Sequence, residues 1–438
     1  MVQGYAWPGT VAIRSIGCRT NQEEMVALQL RLQDRGARIV EDARDAEVVI
    51  VNTCAVTAGT ESKTRRLVRS ISREAPGARI LVTGCLAQKQ PAEFRGKADW
   101  IVGNVYKDEI VSILDKGDSG VFHSGFDVKT IPPVVPAPRV AGGAFRTRFP
   151  VKIQEGCNFR CAYCIVPQLR GPSRSAPFSR VIETCREVVG HGYKELVLTG
   201  THIGQYGNGE QDLPALIDAI LAISGDFRVR LSSLDPRDIS EEMVSRIVSD
   251  ERICKHIHVS FQSFSPEVLR MMARSAEHAE RALELLYGMR KKYPWTGMGA
   301  DIIVGFPGES EKMFETTCSV LQTLGLSYGH VFRYSRRPGT AASRMKNHVP
   351  EHVKTARSAL VRTIVEQGRL DFQKACDMRA ERIIVEQENP VRGVTSNYLR
   401  VEIPDCKAQC NAWLDISLIN EHRGRYSSGR PIRSIEAL

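Results

Sequence analysis

Three cysteines, Cys157, Cys161 and Cys164, stand at C-x3-C-x2-C spacing within the stretch EGCNFRCAYCIVP, residues 155–167. Thiolate ligands this close together favour zinc or an iron–sulfur cluster. Structural zinc sites take four ligands, usually with paired C-x2-C units, and no second pair or nearby histidine completes this one. An iron–sulfur cube on three thiolates keeps one iron open, so the fourth ligand should be a substrate or cofactor. A second triad is spread along the chain, because VAIRSIGC, AEVVIVNTC and ARILVTGC are apolar runs that end in Cys18, Cys54 and Cys85. Residues that follow parallel strands can share one rim, since ligands collect beyond the carboxyl ends of the strands in open α/β sheets. Three buried structural thiols fit the same pattern. Cys406 and Cys410, at C-x3-C with no further partner nearby, read as structural, and Cys185 reads as core.

The elements that must carry these residues fall into three groups. In the first 110 residues the apolar runs alternate with amphipathic stretches such as NQEEMVALQLRLQDRG and ESKTRRLVRSISRE, which predicts an N-terminal doubly wound parallel-sheet domain. IPPVVPAPRVAGGAF, from Ile131, carries four prolines and two glycines and reads as a linker. Six strand candidates then recur with helices between them: FPVKIQ, KELVLTG, FRVRLSS, HIHVSFQ, ADIIVGFP and HVFRYS. Six βα units suit a partial barrel rather than a closed eight-fold one, with the cysteine loop after its first strand. The helix from Arg180 places Val181, Ile182, Cys185, Val188 and Val189 on one face. A long helical segment from about Glu351 to Cys376 precedes ERIIVEQ, YLRVEIP and WLDISLI, which predict a small β-barrel or sandwich. The division is 1–128, a linker at 129–145, a central domain at 146–370 and a β domain at 371–438.

The 438 residues are 42% apolar and 25% charged, the composition of a folded chain too long for one core. The N-terminus MVQGYAWPGT lacks the basic and apolar regions of a leader, and no apolar run approaches a membrane span, so a soluble, cytoplasmic protein with no membrane partner is expected. Twelve cysteines in such a chain should be reduced. Sixty Lys and Arg against fifty Asp and Glu give a formal charge of +10, which suits either a polyanionic partner or a merely soluble surface.

The C-x3-C-x2-C loop with Tyr163 before its last cysteine resembles the radical S-adenosylmethionine superfamily. The stretches KIQEGCNFRCAYCIVPQLRGPSRS, LTGTHIGQYG, RLSSLDP, HIHVSFQS, ADIIVGFPGES and FRYSRRPGTAASRM, with GCRTNQEE, NTCAVT and TGCLAQ, are similar to its methylthiotransferases. Within that family the branch acting on N6-threonylcarbamoyladenosine beside the tRNA anticodon is the nearest match. The resemblance implies two 4Fe–4S clusters, one on Cys157, Cys161 and Cys164 and an auxiliary one on Cys18, Cys54 and Cys85. It implies S-adenosylmethionine bound by its amino and carboxylate groups to the open iron, with Tyr163 by the adenine and Thr201, Ser232, Ser233, Gln262 and Asp301 facing the cofactor. It also implies a TRAM-like RNA-binding C-terminal barrel, tRNA with its anticodon loop as partner, and an electron donor such as flavodoxin or ferredoxin. Alternatives are isopentenyl-adenosine in tRNA, a ribosomal-protein aspartate, or a noncatalytic iron–sulfur RNA-binding protein. Phe264 and Ala273 depart from the family pattern, in which glycine and a more basic run are usual. Arg170 and Arg174 could meet a phosphate or a carboxylate, and Arg379, Arg382, Arg392 and Arg400 are expected to face the tRNA backbone.

Overall fold

The computed structural model describes residues 7–17, 19–55, 57–125, 147–207, 210–404, 406–423 and 426–431. Cys18 and the expected linker lie outside the described residues.

The N-terminal strands are β1 (Thr10–Ser15), β2 (Arg38–Ile39), β3 (Val48–Thr53), β4 (Arg79–Gly84), β5 (Trp100–Val102) and β6 (Gly120–Phe122). They form one parallel sheet in the order β2-β1-β3-β4-β5-β6. Every residue of β3 is buried, because helices cover both faces of the sheet. Chain order reverses between β1 and β3, and it is beyond the carboxyl end of such a switch point that doubly wound folds bind ligands. Cys54 directly follows β3 and Cys85 directly follows β4, so two of the three dispersed cysteines share that rim.

The central domain starts with β7 (Arg148–Lys152), continues through a two-stranded ribbon of β8 (Gln154–Glu155) and β9 (Arg174–Ser175), and adds β10 (Glu195–Thr199), β11 (Arg228–Leu231), β12 (His256–Gln262), β13 (Gly297–Val304) and β14 (Tyr328–Arg333). Parallel pairings β11-β10-β7 and β12-β13-β14 are bridged at Val229–Ile253 and Leu234–Val259, which gives the expected six-stranded partial barrel. Alternation along β12 sorts its faces: Ile257, Val259 and Phe261 pack against the helices, while His256, His258, Ser260 and Gln262 face inward. The helix Phe178–Gly190 buries Val181, Ile182, Cys185 and Val188 as its periodicity predicts.

The C-terminal strands, β15 (Ala380–Glu388), β16 (Val391–Val394), β17 (Arg400–Ile403), β18 (Trp413–Arg423) and β19 (Tyr426–Pro431), close into a five-stranded barrel. The helix Glu351–Ala375 runs unbroken through position 370, so the expected boundary falls inside an element. Its Val361 and Val365 join the central core and Phe372 joins the core of the β-barrel.

Both outer domains dock on the partial barrel. At the amino ends of its strands, Arg228 donates to the carbonyls of Arg382 and Val394, and Arg230 to those of Thr395 and Ser396, while Glu195 pairs with both arginines at 2.7 Å. At the opposite end Glu24 of the N-terminal domain meets Arg170 at 2.7 Å, Lys107 at 2.5 Å and Lys152 at 3.3 Å. Among the described residues no helix is long and apolar enough to cross a membrane.

Candidate active site

The cysteine loop is held by backbone geometry that its sequence dictates. Gly156 has φ +78°, and a Cβ there would lie 1.9 Å from the Pro172 carbonyl oxygen, so only glycine lets the chain enter the loop. The Cys157 amide donates to the Gly171 carbonyl at 3.1 Å and the Cys164 amide to Cys161 at 2.9 Å. Ala162 is bonded on both sides, donating to the Met272 carbonyl and accepting from the Ala342 amide, each at 2.8 Å. Asn158 ties the loop to its neighbours through the Ser173 amide at 2.9 Å and Gln205 Oε1 at 3.1 Å.

The charged groups around the loop are paired. Arg274 donates through Nη2 to Asp235 and to the Ser260 carbonyl, both at 2.7 Å, and its Nη1 lies 3.6 Å from Cys161 Sγ and 3.5 Å from Tyr163 Oη. Asp235 also accepts from Arg237 Nε at 2.7 Å, and the Arg237 guanidinium lies 3.2 Å from the centroid of Phe159. The His202 ring is 5.1 Å from that of Phe159, with Nε2 2.9 Å from Asp238 Oδ2. Burial works against charge on His202, but hydrogen bonds to Asp238 and Cys157 outweigh it and carry the group up to about 9. Burial pushes the Cys164 thiol up to about 12. A thiolate at that position therefore needs a cation beside it, as a cluster iron would provide. Three thiols on one glycine-entered loop fit a three-thiolate cluster.

Four of the expected cofactor contacts lie at the strand ends around this loop. Thr201 follows β10, Ser232 and Ser233 follow β11, and Gln262 closes β12 with a left-handed φ of 72°. The buried Ser232 Oγ has no hydrogen-bond partner among the described residues. Tyr163 packs beside Phe306 and Tyr334. Asp301 differs, because it sits within β13 rather than at its end and its Oδ1 meets His258 Nε2 at 3.1 Å and His330 Nδ1 at 2.9 Å. Arg170 is buried against Glu24, Glu155 and Asn21, and Arg174 lies 3.6 Å from Glu155, so both meet a carboxylate of the chain itself.

Of the N-terminal cysteines, Cys85 lies in one apolar cluster with Ile165 and Leu169, the residues just beyond Cys164. Asn104 links the two domains there, donating to the Leu169 carbonyl at 2.8 Å with the Cys85 sulfur at 3.8 Å. Cys54 is buried next to Gly17, whose Cβ position would be 3.0 Å from that of Cys54. The rim bearing Cys54 and Cys85 therefore faces the mouth of the partial barrel. Of the arginines expected to face tRNA, Arg382 pairs with Asp226 at 3.1 Å, Arg392 pairs with Glu402 at 2.8 Å, Arg379 lies over Trp295 at 4.2 Å, and Arg400 is exposed. Sequence reasoning left Asp235, Arg274, His258 and His330 without roles and did not join Asp301 to the two histidines, although the alternation in HIHVSFQ already put both of its histidines on one face.

A three-cysteine loop at the carboxyl mouth of a six-stranded partial barrel defines the radical S-adenosylmethionine class, and residues 151–321 match the Radical SAM superfamily. Residues 10–103 match a family described as Uncharacterized protein family UPF0004. The chain is 33% identical over 403 residues to the threonylcarbamoyladenosine tRNA methylthiotransferase MtaB of Aquifex aeolicus, covering 90% of this chain and 96% of that protein. It is 34% identical over 394 residues to the enzyme of the same name from Thermotoga maritima, covering 89% of each. It is also 32% identical to a tRNA-2-methylthio-N(6)-dimethylallyladenosine synthase of Fusobacterium nucleatum, covering 86% of this chain and 88% of that one. The chain belongs to the radical S-adenosylmethionine methylthiotransferase family. In fold it is similar to the radical S-adenosylmethionine methyltransferase TsrM of Kitasatospora setae, with a TM-score of 0.56 at 15% identity over 76% of this chain and 77% of that one.

Proposed function

We propose that this protein is a tRNA methylthiotransferase that converts N6-threonylcarbamoyladenosine next to the anticodon to its 2-methylthio derivative, replacing a C–H bond by C–S–CH3. The observation that carries the reading is the three-cysteine loop facing a second cysteine-bearing rim across a domain interface. Relatives bearing the threonylcarbamoyladenosine name match most of the chain at 33% and 34% identity. Cys157, Cys161 and Cys164 would hold one 4Fe–4S cluster, and Cys54 and Cys85 with Cys18 an auxiliary one. With S-adenosylmethionine bound, the first cluster supplies one-electron cleavage of the sulfonium. This chain's own residues do the rest: Arg274 holds positive charge against Cys161 and the Tyr163 phenol, and Asp235 fixes that guanidinium. Thr201, Ser232, Ser233 and Gln262 line the rim where the cofactor's polar groups would lie. The electrons would come from a small donor such as flavodoxin or ferredoxin, in the cytoplasm where tRNA matures.

The test is mass spectrometry of tRNA nucleosides from cells with and without the gene. Loss of the 2-methylthio derivative of threonylcarbamoyladenosine is expected, and loss of the dimethylallyl derivative instead would move the protein to the other tRNA branch.

A further inference from the structure

The inner face of β12, β13 and β14 carries a run of rings that the cluster chemistry does not use. Tyr328, His330 and Phe332 alternate inward along β14, the last strand of the open barrel, while Val331 points outward into the core. Tyr328 is held by both His256 Nε2 and His258 Nδ1 at 2.8 Å. His330 lies 5.1 Å from His258 and 6.4 Å from Phe332 between ring centroids. The run leads toward the cysteine loop, because Ile303, which alternates inward two residues after Asp301, packs in one cluster with Tyr163. Toward its outer end it is open, with 57% of the His330 side chain and 37% of Phe332 exposed. An exposed phenylalanine on the inside of a barrel has a cost that burial elsewhere does not recover, unless a ligand covers it.

Resting on the proposed function, we propose that this face is the subsite for the target nucleoside, with Phe332 stacking on the purine and His330 binding the carboxylate of its threonylcarbamoyl substituent. Base stacking on one aromatic side chain is tolerant of base identity and so supplies affinity rather than choice. The choice would come from His330. Its Nδ1 is engaged by the Asp301 carboxylate at 2.9 Å, which fixes the ring and leaves Nε2 as the ring nitrogen that meets the polar end of the substituent. A dimethylallyl substituent has no polar group to offer, so that ring nitrogen would be covered without a partner.

The experiment uses the full chain with reconstituted clusters and measures affinity for one tRNA prepared with and without the threonylcarbamoyl group. Wild type should bind the modified form roughly tenfold more tightly, the scale of one charge-assisted hydrogen bond. His330→Leu should erase that ratio, a readout that general loss of folding would not move, since folding affects both tRNAs alike. Phe332→Ala should weaken binding of both forms roughly fivefold or more, with Phe332→Tyr restoring it. An unchanged ratio in His330→Leu, or a wild-type ratio of one in a protein that still methylthiolates the modified tRNA, overturns this inference while the proposed function stands. A wild type that neither prefers nor methylthiolates the modified tRNA overturns both.

Discussion

Arg274 bridges the reactive loop and the barrel wall: one guanidinium nitrogen lies 2.7 Å from Asp235 Oδ2 and the other 3.6 Å from Cys161 Sγ. The residue is 9% exposed and emerges just after Ala273, which adopts a left-handed φ of 56° and so turns the chain inward after the helix Pro266–Met271. Positive charge there would offset the negative charge of three thiolates holding a cluster on the loop.

Replacing it removes that compensation. Arg274→Met should cost about 3 kcal/mol of stability, the low end for breaking a buried ion pair, because Arg237 still partners Asp235. It should also lower the iron retained on the barrel loop and slow release of 5′-deoxyadenosine. Calorimetry with iron analysis checks both effects, and a variant with wild-type melting and iron content would show that the guanidinium does not support the loop.

Two cysteine groups on two domains predict two separable clusters. Anaerobic reconstitution of the wild type should load about twice the iron of a variant with Cys157, Cys161 and Cys164 all changed to alanine. Changing Cys54 and Cys85 to alanine should halve the iron, spare cleavage of S-adenosylmethionine and stop sulfur insertion. Normal methylthiolation by that variant would make the rim cysteines structural.

Glu23 gives the domain interface a pH dependence of definite sign. It is 2% exposed, neither carboxylate oxygen accepts a hydrogen bond among the described residues, and burial raises its pKa from 4.5 to about 8. Because the folded value lies above the unfolded one, the unfolded chain releases this proton first, and stability falls as pH rises from 4.5 toward 8. Glu23→Gln should therefore raise the melting temperature at pH 8 by an amount corresponding to a few kcal/mol and change little at pH 4. Equal melting curves at pH 8 would mean that the carboxylate finds a cation there, with Lys152 the nearest candidate among the groups acting on it.

Much of this architecture was legible in the sequence because its signals are local. Strands that end at Cys54 and Cys85, six βα units and a late β domain follow from runs of apolar residues and their periods. The cysteine loop is legible for the same reason, being one short stretch. What the sequence hid is pairwise and long-range: Asp235 with Arg274, Glu24 with Arg170, and Asp301 with His330 join positions 39, 146 and 29 residues apart. The resemblance set Asp301 toward the cofactor, whereas ADIIVGFP shows only that a strand lies there and not that His258 and His330 converge on that carboxylate. Arg170 was left between phosphate and carboxylate because the acids that claim it include one on another domain.

The docking of the C-terminal barrel revises what its removal should do. Counting basic residues suggests a detachable RNA grip, whose loss would weaken tRNA binding and leave S-adenosylmethionine cleavage intact. The structure gives it a second role, because Arg228 and Arg230 are buried inside the partial barrel and donate to four carbonyls supplied by residues 382–396. Truncation from Ala380 removes all four acceptors at once. Glu195 alone would then balance two arginines, and each unpaired buried donor costs about 1–3 kcal/mol. The truncated chain should therefore melt well below the full one and lose cleavage as well as tRNA affinity. Arg400→Glu separates the two roles, since that side chain is exposed on β17 and takes no part in the hydrogen bonds of Arg228 and Arg230. It should weaken tRNA binding and make its salt dependence shallower while leaving the melting temperature within about 1 °C, as expected for a surface substitution. Melting curves and tRNA affinities at two salt concentrations for the full chain, the truncation and Arg400→Glu check the argument. A truncation that melts and cleaves like the full chain would show that the seam arginines find other partners.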